Sequence, residues 1–179
     1  LRLTTDAPFP CEPGQYLTLI NGDGLARSYS IANDPAREGF IELHIRLLND
    51  GLMSGYLRDA RVGETVLIRG PAGQCFYVGV DGSDYPIVLA GTGSGRAPLY
   101  GILRRALVSG HTGQIRLFHG GLHEGDLYHV DALTELAAMH ANFHYVPCVL
   151  EGSEQQFYTV GNIETVVVDG LPKERAATR

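Results

Sequence analysis

Residues 86–107 constrain the fold most. Pro86-Ile87-Val88-Leu89-Ala90 is an apolar run, Gly91-Thr92-Gly93-Ser94-Gly95 is a glycine-rich turn, and a helical pattern opens near Ala97-Pro98-Leu99. A strand that turns on small residues into a helix aims bare backbone N–H groups and a helix N-terminus at one point, which is a place for a phosphate. Glycines there let the anion approach the backbone with no Cβ in the way. The alternative is a tight structural turn with no ligand. A nucleophile elbow around Ser94 fails, because it needs Gly two residues before and after, and those positions are Thr92 and Arg96. The helix places Leu99, Ile102, Leu103, Ala106 and Leu107 on one apolar face. Pro98 suits its first turn, where a missing N–H is harmless.

The chain has 179 residues, enough for one large domain or two small ones. Its hydrophobic content of 44% and charged content of 19% allow a true core. A net charge of −6 argues against nucleic acid or an anionic membrane as partner. No apolar stretch is long enough to cross a bilayer, and Leu1-Arg2-Leu3-Thr4 has no signal-peptide layout. Cys11, Cys75 and Cys148 are widely spaced, without C-x-x-C. They read as buried or partly buried thiols of a reducing, cytoplasmic compartment, not as disulfides or metal ligands.

The rhythm of the chain changes near Gly79. Before it lie short alternating segments cut by turns: strands over Gln15–Ile20, Arg27–Ile31, Phe40–Leu47 and Thr65–Arg69, and a short helix within Leu52–Arg58. That spacing suggests an antiparallel barrel. Asp81-Gly82-Ser83-Asp84 reads as a linker. After it, strands and helices alternate: a strand over Ile115–Phe118, a helix over Asp131–His140 with Asp131 as N-cap, and strands over Phe143–Val146 and Thr165–Val168. Alternation of this kind implies right-handed crossovers and a parallel sheet. The expected domains are 1–80 and 84–179.

Arg27-Ser28-Tyr29-Ser30 puts a cation, an aromatic plane and two hydroxyls on one strand, with Arg27 and Tyr29 on one face and Ser28 and Ser30 on the other. Alone, it could equally be an edge strand with an exposed Arg. His119, His123, Asp126 and His129 crowd one loop region, but residues following a strand in such a fold face solvent or nucleotide, so no metal is expected. His140 and His144 straddle a helix end, where a cation suits the dipole.

Four motifs in order extend the reading: Arg27-Ser28-Tyr29-Ser30, Gly51-Leu52-Met53-Ser54, Gly70-Pro71-Ala72-Gly73 and Ala90–Leu99. Together, over about Gly14 to Gly120, they resemble the ferredoxin–NADP reductase superfamily, and within it the flavin reductase components of bacterial oxygenases. The resemblance implies a flavin-binding antiparallel β-barrel followed by an α/β parallel-sheet nicotinamide-nucleotide domain. It implies FAD rather than FMN, with NAD(P)H as co-substrate. Arg27 would contact the flavin phosphates, with Ser28 beside it. Tyr29 would cover the isoalloxazine ring, and Ser30 would hydrogen-bond near N5, making Tyr29 and Ser30 the candidate catalytic residues. His44-Ile45-Arg46 would follow the ribityl and adenosine part. Gly51, Leu52, Met53 and Ser54 would hold the pyrophosphate. Gly91, Thr92, Gly93, Ser94 and Gly95 would hold the nicotinamide nucleotide, with Thr92 near the nicotinamide. The implied reaction is hydride transfer from NAD(P)H to flavin, then single electrons to a protein acceptor, a ferredoxin-like iron–sulfur protein or an oxygenase component. The alternative is a non-catalytic flavin- or nucleotide-binding module of the same fold.

Three departures from the family pattern stand out. Arg96 replaces the usual aliphatic residue and either adds a phosphate contact or points to solvent. Phe118-His119-Gly120-Gly121-Leu122 lacks the Arg that relatives often carry next, which removes a candidate for holding a 2′-phosphate and favours NADH. The family's Cys-Gly-Pro motif does not occur before Ala176-Ala177-Thr178-Arg179, none of the three cysteines sits in that context, and the first barrel strand looks clipped. The expectation is that residues are missing at both ends or that full reductase ability is lost.

Overall fold

A computed structural model describes residues 1–80, 82–153 and 157–171. The chain packs as two compact units: Leu1–Tyr85 with Ser94–Gly113, and Pro86–Gly93 with the chain from Gln114 onward.

In the first unit, alternation along Tyr16–Ile20 drives Leu17 and Leu19 fully inside. Each such leucine contributes about 1.5–3 kcal/mol by burial. Short antiparallel pairs surround them. β1 (Arg2–Leu3) pairs with β4 (Ile41–Glu42), and β2 (Tyr16–Ile20) lies between β3 (Ala26–Ser30) and β5 (Leu67–Ala72). α1 (Pro35–Glu38) and α2 (Leu52–Asp59) fill the connections, and Ile31, Ile41, Leu43 and Met53 complete the core. The strand expected over Phe40–Leu47 is shorter than its pattern. Ile41 and Leu43 do point inward, but the ladder ends once Leu43 has bonded the Leu1 carbonyl and bridged Ile31.

α3 (Arg96–Val108) belongs to the same unit and starts one residue before the expected opening. Its buried face carries Ala97, Tyr100, Gly101, Ile102, Leu103 and Ala106, while Leu99 and Leu107 are only half-buried. Gly101 is required by close approach, since a Cβ there would lie 2.9 Å from the Ile31 carbonyl oxygen. Arg104 and Arg105 reach Glu38 at 3.1 Å and Asp34 at 2.9 Å, tying α3 to α1.

The second unit is a parallel sheet in the order β6 (Ile87–Thr92), β7 (Ile115–Gly121), β8 (Phe143–Val149), β9 (Thr159–Val160). Ile115, Leu117, Phe118, Leu133, Phe143 and Val149 form its interior. α4 (Val130–Met139) packs on β8 and α5 (Ile163–Gly170) on β7.

Two expectations are corrected here. Thr165–Val168 is helix, not strand. Asn162 caps α5 by accepting the Glu164 N–H at 3.0 Å, and Ile163, Val166 and Val167 recur at helical spacing, which outweighs β-branched propensity. Asp131 lies in the first turn of α4, and the N-cap is His129, at φ 57°. The two-residue β9 is too short for a period-2 signal. Asp81 of the expected linker, and Ala176–Arg179, lie outside the described residues. Among the described residues no helix is long and apolar enough to cross a membrane.

Candidate functional site

β3 displays the Arg-Ser-Tyr-Ser string on a sheet edge. Its register on β2 sets Tyr29 opposite Leu17, Ser28 opposite Thr18, Arg27 opposite Leu19 and Ser30 opposite Tyr16. Paired residues share a face, so Arg27 and Tyr29 share that of the core leucines, and Ser28 and Ser30 the other. Tyr29 is half-buried against that core, and Arg27 stays exposed, donating to the Ala26 carbonyl at 2.7 Å. Ser28 Oγ lies 3.0 Å from Thr18 Oγ1. The outer edge of β3 meets no strand among the described residues until Ile31 bridges Leu43. Burial pushes the Tyr29 phenol up and the charge of Arg27 offsets this only in part, so the ring is a neutral donor at physiological pH.

Tyr29, Ile45 and Met53 abut one core, which draws three of the expected flavin-binding segments together. Gly51 is the N-cap of α2, in extended conformation and without a side-chain cap bond, so the first N–H groups of the helix have no partner within it. A Cβ at Gly51 would sit 2.9 Å from Ser54 Oγ, so glycine permits this close turn. Ser54 Oγ accepts the Leu48 N–H at 3.0 Å and closes the loop that leads into the helix. Leu52 is exposed, Met53 and Ser54 are buried, and Arg46 is exposed.

The His44 side chain turns inward. Its Nε2 lies 3.0 Å from Glu42 Oε1, and its ring is 5.6 Å from that of Tyr100. Burial alone would push the Glu42 carboxyl up, but hydrogen bonds from His44 and Arg2 outweigh it and hold the group below the ordinary carboxylate range. A carboxylate depressed on folding adds stability above its unfolded pKa and loses it as pH falls through the folded value. Glu42→Gln should therefore flatten the acid limb of a stability-versus-pH curve, read from urea midpoints. An unchanged acid slope would contradict this role.

β6 continues through Gly91-Thr92 before the chain turns, so the turn itself is Gly93–Gly95 and α3 follows at once. Gly93 takes φ +51°, and a Cβ on either Gly93 or Gly95 would meet no protein atom within 4 Å. Ser94 between them is exposed. An open-sided turn at a helix N-terminus fits a phosphate.

Arg96 neither points to solvent nor lies on an open face. It is fully buried, with its guanidinium 5.4 Å from the Tyr100 ring centroid, and Arg104 stands 5.7 Å from the same ring. The i, i+4, i+8 spacing of Arg96, Tyr100 and Arg104 was the sequence signal for this stack.

At the carboxyl edge of the parallel sheet, Thr92, Gly120, Cys148 and Thr159 stand in register. Thr92, Gly120, Leu122, Cys148, Leu150 and Asn162 line a hollow of about 270 Å³ there. Ligands of open α/β sheets bind at this edge. Cys148 lies outside the expected thiol motif, yet it shares the hollow with Thr92, and burial pushes its thiol up. Cys75, expected to be at least partly buried, is exposed. His119 is buried beneath this edge, with Nδ1 2.8 Å from the Tyr145 hydroxyl.

Residues 2–77 match the oxidoreductase FAD-binding domain family, and residues 89–178 match the oxidoreductase NAD-binding domain family. The chain is 36% identical over 156 residues to the reductase component of a Pseudomonas phenol 2-monooxygenase, covering 86% of this chain and 44% of that protein. It is 36% identical over 172 residues to the reductase subunit of an Amycolatopsis aromatic O-demethylase, covering 94% and 51%. The crystal structure of an Amycolatopsis cytochrome P450 reductase superposes with a TM-score of 0.84 at 34% identity, over 97% of this chain and 53% of that one. The chain spans about half the length of these relatives. Barrel-like antiparallel strands bearing Arg27 and Tyr29, a parallel sheet ending in an open glycine turn, and both domain matches in that order lead to one conclusion: the chain belongs to the ferredoxin–NADP reductase superfamily.

Proposed function

We propose that this chain is the flavin- and nicotinamide-binding part of a reductase that takes hydride from NAD(P)H and passes electrons to a protein acceptor, an iron–sulfur protein or an oxygenase component. The observation that carries the reading is the presence in one chain of an edge strand displaying Arg27 and Tyr29 and a glycine turn open on its ligand side. The proposed domains are 1–80 for FAD and 84–179 for the nicotinamide nucleotide, supported by the family matches over 2–77 and 89–178. A cytoplasmic setting accords with the three free cysteines, and the absence of a nucleic-acid or membrane partner accords with the net charge of −6.

FAD, when bound, supplies hydride acceptance and one-electron release. The protein's task is placement and electrostatics. Arg27 presents a planar fork to phosphate oxygens. Its exposed guanidinium and the first turn of α2, which Gly51 caps without a side-chain bond, suit a pyrophosphate. Ser28 bonds Thr18 on the opposite face and ties β3 to β2 beside Arg27. Tyr29 lays a flat, neutral phenol against a flat ring, with its inner side fixed by the core. Ser30 offers a hydroxyl to the ring's polar edge, where hydrogen bonds stabilise charge on reduction. Ile45 and Arg46 flank the ribityl and adenosine part, while the His44 side chain holds the segment in place through Glu42. Gly91, Thr92, Gly93, Ser94 and Gly95 seat the dinucleotide, and Thr92 opens onto the hollow that suits its nicotinamide end. No step needs a general acid or base, because hydride moves directly once the reacting atoms are in contact.

With FAD loaded, NADH should drive reduction of cytochrome c or ferricyanide. Loaded protein that reduces neither above an FAD-free blank would contradict the reading.

A further inference from the structure

Gly120 is buried within β7, and its backbone lies outside the left-handed region. Strand backbone does not call for glycine, and glycine weakens a strand interior. Space calls for it instead. In the register of the sheet Gly120 stands between Thr92 on β6 and Cys148 on β8. A Cβ at Gly120 would lie 2.8 Å from Thr92 Cγ2 and 3.0 Å from Ile163 Cδ1, well inside van der Waals contact. The Thr92 methyl and Ile163, in the first turn of α5, thus close over the place that a side chain at 120 would fill.

The two neighbours differ in how they can yield. Ile163 Cδ1 is the far end of a flexible side chain. Thr92 is β-branched and stiff about χ1. Its methyl and hydroxyl share one carbon, so a methyl pushed away from β7 carries the hydroxyl to a new direction. Thr92 is exposed and lines the hollow, next to the turn that begins at Gly93. We propose that Gly120 is a positioning residue for the nicotinamide end of the dinucleotide. It seats the Thr92 methyl against β7 and so fixes the hydroxyl that meets the nicotinamide's amide. The inference rests on the reading of this hollow as the nicotinamide site.

Calorimetric titration of the FAD-loaded protein with NAD⁺, and with 5′-AMP, which lacks the nicotinamide end, tests it beside the limiting rate of flavin reduction by NADH in anaerobic stopped flow. Gly120→Ala should weaken NAD⁺ binding by about three- to tenfold and slow reduction by about tenfold or more, with 5′-AMP unchanged within about twofold. Thr92→Ser keeps the hydroxyl and lacks the methyl, which makes room for the added Cβ. The double variant Thr92→Ser/Gly120→Ala should therefore come within about threefold of Thr92→Ser alone in affinity and rate. Thr92→Val keeps the shape and lacks the hydroxyl, so it should reproduce the losses of Gly120→Ala without a change in urea midpoint. Equal weakening of NAD⁺ and 5′-AMP by Gly120→Ala marks a general disturbance of the fold and overturns the inference. A double variant no better than Gly120→Ala overturns the route through Thr92. Thr92→Val with the affinity and rate of the unaltered protein overturns the role of the hydroxyl, even where Gly120→Ala fails to fold. An unaltered protein that binds neither nucleotide removes the site reading itself.

Discussion

Arg27→Ala should weaken FAD binding by about 30- to 150-fold while leaving the unfolding midpoint almost unmoved. A guanidinium–phosphate fork is worth about 2–3 kcal/mol, which converts to that range in Kd. The fold loses little. Arg27 is exposed on an edge strand and donates to the adjacent Ala26 carbonyl, whereas the sheet is held by the fully buried Leu17 and Leu19 and by the packing of Tyr29. Surface changes of this kind move stability by about 0.5 kcal/mol or less. Arg27→Lys should fall between, since it keeps the charge and loses the planar geometry. Flavin fluorescence titration and urea denaturation of the same variants check both halves. Unchanged flavin affinity in Arg27→Ala would remove Arg27 from the phosphate site.

Gly95→Val should abolish most nicotinamide-nucleotide binding, by about 100-fold, without loss of FAD. Gly95 has helical angles, φ −61° and ψ −14°, and no protein atom lies within 4 Å of an added Cβ. The backbone therefore tolerates valine at a cost of about 1 kcal/mol or less, set mainly by the weaker helix cap. The same side chain would occupy the open side of the turn and keep a phosphate from the N–H groups behind it. Two charge-assisted hydrogen bonds lost at about 1.5 kcal/mol each give the stated factor. If Gly95→Val binds NAD⁺ as tightly as the unaltered protein, the turn is structural only.

Local chemistry made much of the fold legible. The strand–glycine–helix sequence of residues 86–107 and the alternation over Tyr16–Ile20 were written in spacing and residue type, and both formed as expected. The Arg-Ser-Tyr-Ser string carried its own facing pattern, and its register on β2 reproduces it. Errors arose where a tertiary partner overruled a local tendency. Thr165–Val168 is β-branched and reads as strand, but the Asn162 cap and the inward spacing of Ile163, Val166 and Val167 make it a helix. Arg96 reads from its charge as either a phosphate contact or a solvent-facing residue, and the structure buries it over Tyr100, four residues along the helix. The meeting of Thr92 with Cys148 could not be read at all. It depends on the register of three parallel strands separated by long connections, and sequence distance carries no trace of that.

Anaerobic addition of NADH to the FAD-loaded chain, followed through the flavin's visible absorption, tests the central claim most directly: that this chain holds one flavin site and one nicotinamide-nucleotide site that work as a redox pair. The account predicts a yellow protein whose flavin band bleaches as NADH is added and returns with an oxidant. A protein that retains FAD, binds NADH and keeps its flavin band unchanged would contradict it.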